Sequence, residues 1–201
     1  MKTVDRPTFV VAAPADDAEH ETEVVPGEEV VVLETQGDWA HVVVPAHASS
    51  KDERGYPGWL PSAALTDGPQ RNVEVGEGVE ALLAKARTYL GVPYVWGGTT
   101  GAGIDCSGLV FRAAEDIGVR LPRDAGDQAA ALAAIDLDEV GPGDLYFFAE
   151  GPRVFHVAIA TAAPGPDGVR PMIHADGDKT AVVEEPMPFD RANTLVTAAR
   201  L

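Results

Sequence analysis

Apolar and polar residues follow two different periodicities along the chain, and the pattern changes near residue 78. Between residues 8 and 65, β-branched residues form short runs such as TEVVPGEEVVVLE and WAHVVV, which the turn-forming segment TQGD separates. Runs of this kind, bounded by Gly, Pro and Asp, are typical of strands, and no helical period of useful length interrupts them. We therefore predict a small all-β barrel at the N-terminus.

Three segments after residue 78 have the spacing of amphipathic helices. The second is predicted from Cys106 to Ile117, stopping at Gly118, and the third begins near Asp124. The first, VEALLAKARTYLG, is expected to be capped by Gly91. Its apolar residues share one helical face: Val79, Leu82, Leu83, Ala86 and Leu90.

Five strand-like runs follow the helices: DLYFFA, HVAIATA, VRPMIHA, AVVEEP and TLVTAARL. Helices followed by strands predict an α+β domain in which the helices cover one side of an antiparallel sheet. The segment TDGPQRNVEVGE is polar, contains Gly and Pro, and is typical of a linker. We predict an N-terminal domain over 1–68, a linker over 69–77 and a second domain over 78–201.

Charge and cysteine content exclude several classes of protein. The net charge of −17 argues against binding to nucleic acid or to an anionic membrane surface. A single cysteine cannot form an internal disulfide, and the chain has no CxxC pair of the kind that binds structural zinc. We expect no metal and no cofactor. The apolar run near Phe9 is too short for a signal-peptide core or a membrane span, which favours a cytoplasmic protein.

That single cysteine, Cys106 in GAGIDCSGLVF, falls in the first turn of the second predicted helix. The unpaired N–H groups and the helix dipole favour an anion there, so we expect a lowered thiol pKa. The same N–H groups could receive the oxyanion of an acyl-transfer intermediate. The glycine-rich segment WGGTTGAGID before it allows backbone to lie close to a ligand.

A thiolate nucleophile needs a base, and two histidines are placed to serve it. His156 begins the run HVAIATA and His174 ends VRPMIHA, with a hairpin loop between them. If the loop is centred on Gly165, the two residues are directly opposed on one face of the sheet. The other three histidines lie among polar residues and are expected to be solvated: His20, His41 and His47.

Other interpretations of the same residues stay open at this point. A lone cysteine is often a buried structural residue, and a histidine at a strand end is often only a hydrogen-bonded neighbour of the core. The two histidines could also bind a metal with Cys106 as a third ligand.

The segment GVPYVWGGTTGAGIDCSGLVFRAAEDIGVRLPRDAGDQ resembles the signature of the NlpC-type cysteine peptidases, which are bacterial cell-wall endopeptidases. VGPGDLYFF, HVAIA and MIHA match later blocks of that family in order, so the resemblance covers about residues 78–201. GEEVVVLETQGDWAHV and GYPGW resemble, more loosely, a bacterial SH3-like domain. The insertion PGPDGVRP between the histidine strands is longer than the family pattern.

The resemblance implies a papain-like fold and a set of roles. Cys106 is the nucleophile, His156 the general base and later acid, and His174 the residue that orients His156. Tyr94 matches a tyrosine near the cysteine that assists the oxyanion site, although it could be only a half-buried aromatic beside Trp96.

The implied substrate is a small murein peptide, cut between γ-D-glutamate and diaminopimelate or lysine. Family members that carry SH3-like domains and recycle wall fragments require a free N-terminal L-alanine. We expect a monomer or low-order oligomer. The alternatives are a papain-like amidase or acyltransferase acting on another amide or lipid, and a non-catalytic peptidoglycan-binding module.

Five residues are candidates for substrate binding through the resemblance. Asp105 and Ser107 would hold the amine and the peptide backbone, although Asp105 could be only a helix N-cap. Arg123 would bind a substrate carboxylate, its rival role being an ion pair with the neighbouring Asp124 or Asp127. Tyr56 and Glu53 would close the pocket over the amine from the SH3-like domain. Both lie in or beside a long loop, AHASSKDERGYPG.

Overall fold

The computed structural model describes residues 1–73 and 75–201. Its N-terminal part is a single curled antiparallel sheet that encloses its own core. A 3-10 turn, Ser62–Ala64, interrupts it before the last strand. The strands are β1 (Lys2–Val4), β2 (Thr8–Val11), β3 (His20–Val24), β4 (Glu29–Gln36), β5 (Trp39–Val44), β6 (Tyr56–Pro61) and β7 (Leu65–Thr66). Their order in the sheet is β3-β2-β6-β5-β4-β1-β7.

Alternation along these strands builds the core. In β6, Tyr56, Gly58 and Leu60 are buried while the residues between them are partly exposed. Val10 and Val24 complete the apolar interior from neighbouring strands. A period of two that buries one face of each strand is the reason that the β-branched runs predicted this sheet correctly.

The second part of the chain packs helices against a six-stranded sheet. Its elements are α1 (Gly78–Arg87), β8 (Thr99–Thr100), β9 (Gly103–Ile104), α2 (Cys106–Glu115), α3 (Ala125–Ala131), β10 (Ala134–Ile135), β11 (Leu145–Glu150), β12 (Arg153–Ala160), β13 (Pro171–Asp176), β14 (Ala181–Pro186), α4 (Phe189–Ala192) and β15 (Leu195–Ala199). The sheet order is β10-β15-β11-β12-β13-β14, and β8 pairs only with β9. All pairs are antiparallel, which confirms the predicted α+β class.

The centre of the sheet is buried on both faces. Leu145 and Phe147 of β11 join the core under α1 and α2. Tyr146 and Phe148 point to the opposite face, into a second apolar cluster. Because both faces are covered, β11 reads as a continuous apolar run rather than an alternating one.

The helices are shorter than their periodicity predicts. α1 ends at Arg87, and Val79 and Leu90 are 44% and 45% exposed, so they do not belong to its buried face. α2 ends two residues before Ile117. α3 ends at Ala131 because Ala134 and Ile135 pair with β15 instead. The spacing of apolar residues cannot show that a segment pairs with a neighbouring strand instead of continuing a helix.

The two parts of the chain share a buried polar interface. Arg112 Nη1 of α2 lies 2.6 Å from Glu28 Oε1, and the N–H of Thr99 donates to Glu23 at 3.0 Å. His47 is fully buried here, 2.9 Å from Thr22 through Nδ1, so the prediction that it is solvated is wrong. Its place in the segment PAHASSK gives no sign that the second part of the chain covers it.

The described residues contain no helix that is long and apolar enough to cross a bilayer. The boundaries 1–68, 69–77 and 78–201 stay predictions. Within the segment between the two parts, Arg71 contacts both, since its Nη1 lies 3.3 Å from Glu28 and 2.9 Å from Glu115.

Candidate active site

The start of α2 is fixed by the side chain that precedes Cys106. Asp105 is the N-cap, and its Oδ1 accepts a hydrogen bond from the N–H of Gly108 at 2.7 Å. Its Oδ2 accepts from the N–H of Gly97 at 2.8 Å, which ties the glycine-rich loop to the helix. A Cβ on Gly98 would lie 2.5 Å from the carbonyl oxygen of Gly103, so this close packing requires glycine.

Cys106 is the first residue of α2 and is 5% exposed. Burial raises the pKa of the thiol to about 12, and the Asp105 carboxylate acts in the same direction. The backbone N–H of Val157 and the Arg123 guanidinium oppose that rise. The prediction of a lowered pKa is therefore wrong, because burial and an adjacent carboxylate outweigh the helix N-terminus. The resting thiol keeps its proton at neutral pH.

The two strand histidines are in contact. His156 Nε2 lies 2.8 Å from His174 Nδ1, and His174 Nε2 lies 3.4 Å from Glu185 Oε1. Burial, the His174 ring and Arg191 hold the pKa of His156 well below its usual value. Burial also lowers the pKa of His174, against the pull of Asp176 and Glu185. Both rings are consequently neutral at pH 7.

The register of the histidine hairpin differs from the predicted one. Ala160 is opposite Met172, so the loop is centred one residue after Gly165. His156 and His174 are therefore diagonal neighbours instead of directly opposed residues. A register change of two positions keeps both on the same face, and diagonal side chains of this length still reach each other.

Carboxylates surround His174 on the side away from His156. One ligand atom each of His174, Asp176 and Glu185 lies within 4.8 Å of the others. Among the described residues this is the only cluster with metal-ligand spacing, and it does not include Cys106. The interpretation of Cys106 and both histidines as one metal site therefore has no support in the geometry.

Arg123 does not face a substrate. It is fully buried, and its guanidinium forms a bidentate pair with Asp105 at 3.0 and 2.8 Å. All its N–H groups have acceptors: Asp105, Ser107 Oγ, Thr22 Oγ1 and the Gly98 carbonyl. The prediction that it binds a substrate carboxylate is wrong, as is the alternative pairing with Asp124 or Asp127. Its position under the N-terminal sheet leaves no donor free.

A cavity of about 380 Å³ lies beside Cys106, between the two parts of the chain. Asp105, Cys106 and Ser107 form one wall, and the half-exposed Trp96 forms part of another. Its other charged lining residues are Glu19, Glu21, Lys51, Asp124, Asp127 and Arg153. A further cavity, of about 470 Å³, lies at the same interface but contains none of the residues discussed for catalysis.

Three residues of the cavity lining form a cluster that we call the acidic corner: Glu21, Tyr56 and Asp124. The Tyr56 hydroxyl lies 3.0 Å from Glu21 Oε2 and 2.9 Å from Asp124 Oδ2. Lys51 Nζ lies 2.9 Å from the same hydroxyl. Burial and the two carboxylates raise the pKa of Tyr56, and burial raises that of Asp124.

Glu53 lies outside this cavity, contrary to the prediction that it closes the pocket. It is exposed, and the neighbouring Asp52 and Arg54 pair with each other at 2.8 Å along the surface. The acid that the N-terminal sheet places beside Tyr56 is Glu21 of β3. Glu53 was predicted because it is close to Tyr56 in sequence. Glu21 is distant in sequence and contacts Tyr56 from another strand.

Tyr94 is half-buried near the nucleophile. Burial and then the proximity of Cys106 and Asp105 raise the pKa of its hydroxyl. Ser107 lines the cavity, and its hydroxyl lies 3.2 Å from Asp105 Oδ1. The catalytic and binding roles assigned to these residues stay predictions.

The sequence prediction missed several residues that the fold brings to the cavity or the histidines. Asp124 directly follows Arg123 in LPRD, so the sequence offers it as a candidate for the site, but the prediction gives it only the role of an ion-pair partner. Arg153, three residues before His156, had a positional signal as part of the same strand. Lys51, Glu21 and Glu185 had no local signal, because tertiary packing alone places them.

Comparisons with known proteins identify relatives of both parts of the chain. The model of the NlpC/P60 family matches residues 91–194, and that of the bacterial dipeptidyl-peptidase Sh3 domain matches residues 10–65. The γ-D-glutamyl-L-lysine dipeptidyl-peptidase of Bacillus subtilis (strain 168) is 32% identical, over 68% of this chain and 67% of its own length. The protein of the same name from Bacillus cereus (strain ATCC 10987 / NRS 248) is 27% identical, over 69% and 64%. The chain thus spans about two thirds of the length of these relatives.

Among solved structures, an NlpC/P60 family protein from Bacillus cereus ATCC 10987 superimposes with a TM-score of 0.88. The match covers 100% of this chain and 99% of that one at 21% sequence identity. This similarity shows a shared fold across both the N-terminal sheet and the helix-covered sheet.

Proposed function

Because the chain belongs to the NlpC/P60 family of cysteine peptidases, we propose that it hydrolyses the bond between γ-D-glutamate and a diamino acid in small murein peptides with a free N-terminal L-alanine. The observation that carries this proposal is the charged cavity beside Cys106, whose lining includes the acidic corner. A cytoplasmic location and a monomeric or low-order oligomeric state stay predictions.

The proposed reaction begins with a proton transfer. His156 Nε2 faces His174, so Nδ1 is the ring nitrogen left to accept the proton of the Cys106 thiol. In that tautomer Nε2–H of His156 donates to His174 Nδ1, and Nε2–H of His174 points to Glu185. The chain of hydrogen bonds holds the base in one orientation and stabilises the imidazolium that forms.

The rest of the cycle is acyl transfer. The sulfur attacks the amide carbonyl, and the oxyanion is received by the backbone N–H of Cys106 at the start of α2 and by the Tyr94 hydroxyl. His156 gives its proton to the leaving amine, which departs as the diamino acid. Water, deprotonated by the same ring, then hydrolyses the thioester and releases L-Ala-γ-D-Glu.

The lining of the cavity offers groups of both charges to such a peptide. The carboxylates of Glu21 and Asp124 suit the N-terminal ammonium, with Tyr56 between them. Arg153 is exposed, lines the same cavity and makes no ion pair within the described residues, which suits a substrate carboxylate. A lining of this charge density does not favour the long acyl chain of the acyltransferase alternative.

Incubation with L-Ala-γ-D-Glu-diaminopimelate and with its L-lysine counterpart tests this proposal, with products followed by mass spectrometry. We expect L-Ala-γ-D-Glu and the free diamino acid from at least one peptide, and no product from Cys106→Ala. Cleavage of neither peptide by the folded wild-type protein contradicts the proposed function.

A further inference from the structure

Lys51 places an ammonium group of the chain itself in the acidic corner. Its Nζ contacts the Glu21 carboxylate, lies 2.9 Å from the Tyr56 hydroxyl and is 4.6 Å from the centroid of the Tyr56 ring. The backbone beside it is fixed, since the N–H of Ser50 donates to Asp127 at 2.8 Å. The ammonium therefore reaches the corner from an anchored edge of the cavity.

The acidic corner has more hydrogen-bond acceptors than donors of its own. Tyr56 has one hydroxyl hydrogen, yet both Glu21 and Asp124 have a carboxylate oxygen within 3.0 Å of it. One of the two carboxylates therefore needs a hydrogen-bond donor other than Tyr56, and an ammonium group with three N–H groups can provide that donor. Lys51 is the cation that does so in this structure.

We propose that Lys51 is a specificity-determining residue whose ammonium occupies the place that a substrate's free amine takes, and that leaves when the amine binds. This inference rests on the proposed function of the cavity. The lysine side chain is 42% exposed and its four-carbon stem is flexible, so the ammonium can move to solvent without a backbone change. Peptides with a free amine thus compete with Lys51, whereas peptides without one do not displace it.

Kinetics on the full chain test the competition. Lys51→Met removes the ammonium but keeps much of the stem, Lys51→Arg keeps the charge, and Lys85→Met removes a lysine of α1 that lies outside the cavity. For L-Ala-γ-D-Glu-diaminopimelate we expect KM to fall about two- to five-fold in Lys51→Met, as for the loss of a partly exposed ion pair, with kcat unchanged. Lys85→Met should keep the KM of the wild type, Lys51→Arg should not show the fall because the charge stays in the corner, and the N-acetylated peptide should show no fall in KM in any variant.

Binding gives a readout that does not need turnover. Calorimetry of L-Ala-γ-D-Glu with Cys106→Ala and with Cys106→Ala/Lys51→Met should show the same two- to five-fold gain for the double variant. An unchanged or raised KM and Kd in Lys51→Met would overturn the inference, because Lys51 would then support the corner and not compete for it. If the wild type does not cleave the peptide but the double variant still binds L-Ala-γ-D-Glu more tightly, only the proposed function is overturned. If neither cleavage nor the gain in binding is seen, the proposed function and the role of Lys51 are both overturned.

Discussion

Two polar clusters on either side of Cys106 hold their protons and charges differently. Towards the N-terminal sheet, Asp105 and Arg123 form a buried ion pair in which every guanidinium N–H has an acceptor. Towards β12 and β13, His156 and His174 are neutral and share a single hydrogen bond. The saturated pair can fix geometry but has no capacity to react, whereas the histidine pair keeps a ring nitrogen that can accept a proton.

The largest effect should come from the histidine cluster. In His156→Ala the thiol loses its base while its pKa stays high, so we expect kcat to fall by about 10³- to 10⁴-fold. Far-UV circular dichroism should stay close to that of the wild type, which separates loss of the base from loss of the fold. A fall of less than ten-fold would mean that another group deprotonates Cys106.

Substitution in the ion-pair cluster should instead affect folding. Arg123→Met leaves the Asp105 carboxylate buried without its counter-charge, which costs about 3–5 kcal/mol of unfolding free energy. Urea denaturation measures this loss. Arg123→Met/Asp105→Asn removes both charges and should recover part of it. A loss below about 1 kcal/mol would contradict the structural role assigned to the pair.

His174 should show a catalytic effect without a comparable loss of stability. In His174→Gln the side chain can still accept a hydrogen bond but no longer passes it to Glu185. We expect kcat to fall roughly 10²-fold at an unchanged KM, the low end of what acid–base catalysis supplies. The profile of kcat against pH measures it. A change in KM alone would place His174 in substrate binding and not in the orientation of His156.

The pH dependence of stability should report the buried histidines. His47, His156 and His174 all have pKa values lowered by burial, so below about pH 6.5 the unfolded chain binds protons that the folded chain does not. Stability is therefore full above this pH and declines as the pH falls. Between pH 7.5 and 5.5 we expect a loss of up to about 1.4 kcal/mol per histidine in urea denaturation. A constant or rising midpoint would show that these rings are protonated in the folded protein.

The sequence predicted the elements and the chemical groups better than it predicted their electrostatics. Periodicity was enough for most strands of both sheets and for the start of α2 at Cys106. The thiol pKa was predicted in the wrong direction because the helix dipole is local while burial is tertiary. Arg123 and Glu53 were misplaced for the same reason. Which arginine is covered, and which acid reaches Tyr56, depends on how the N-terminal sheet sits on the second domain.

The most direct test of the account is a comparison of kcat/KM for the free and N-acetylated forms of L-Ala-γ-D-Glu-diaminopimelate. We expect the wild type to prefer the free amine, and Glu21→Gln to reduce that preference about ten-fold or more, the range for a hydrogen bond to a charged group. Glu53→Gln, outside the cavity, is the matched control and should leave the preference unchanged. An equal preference in wild type and Glu21→Gln would contradict a site in which the N-terminal sheet binds the substrate amine.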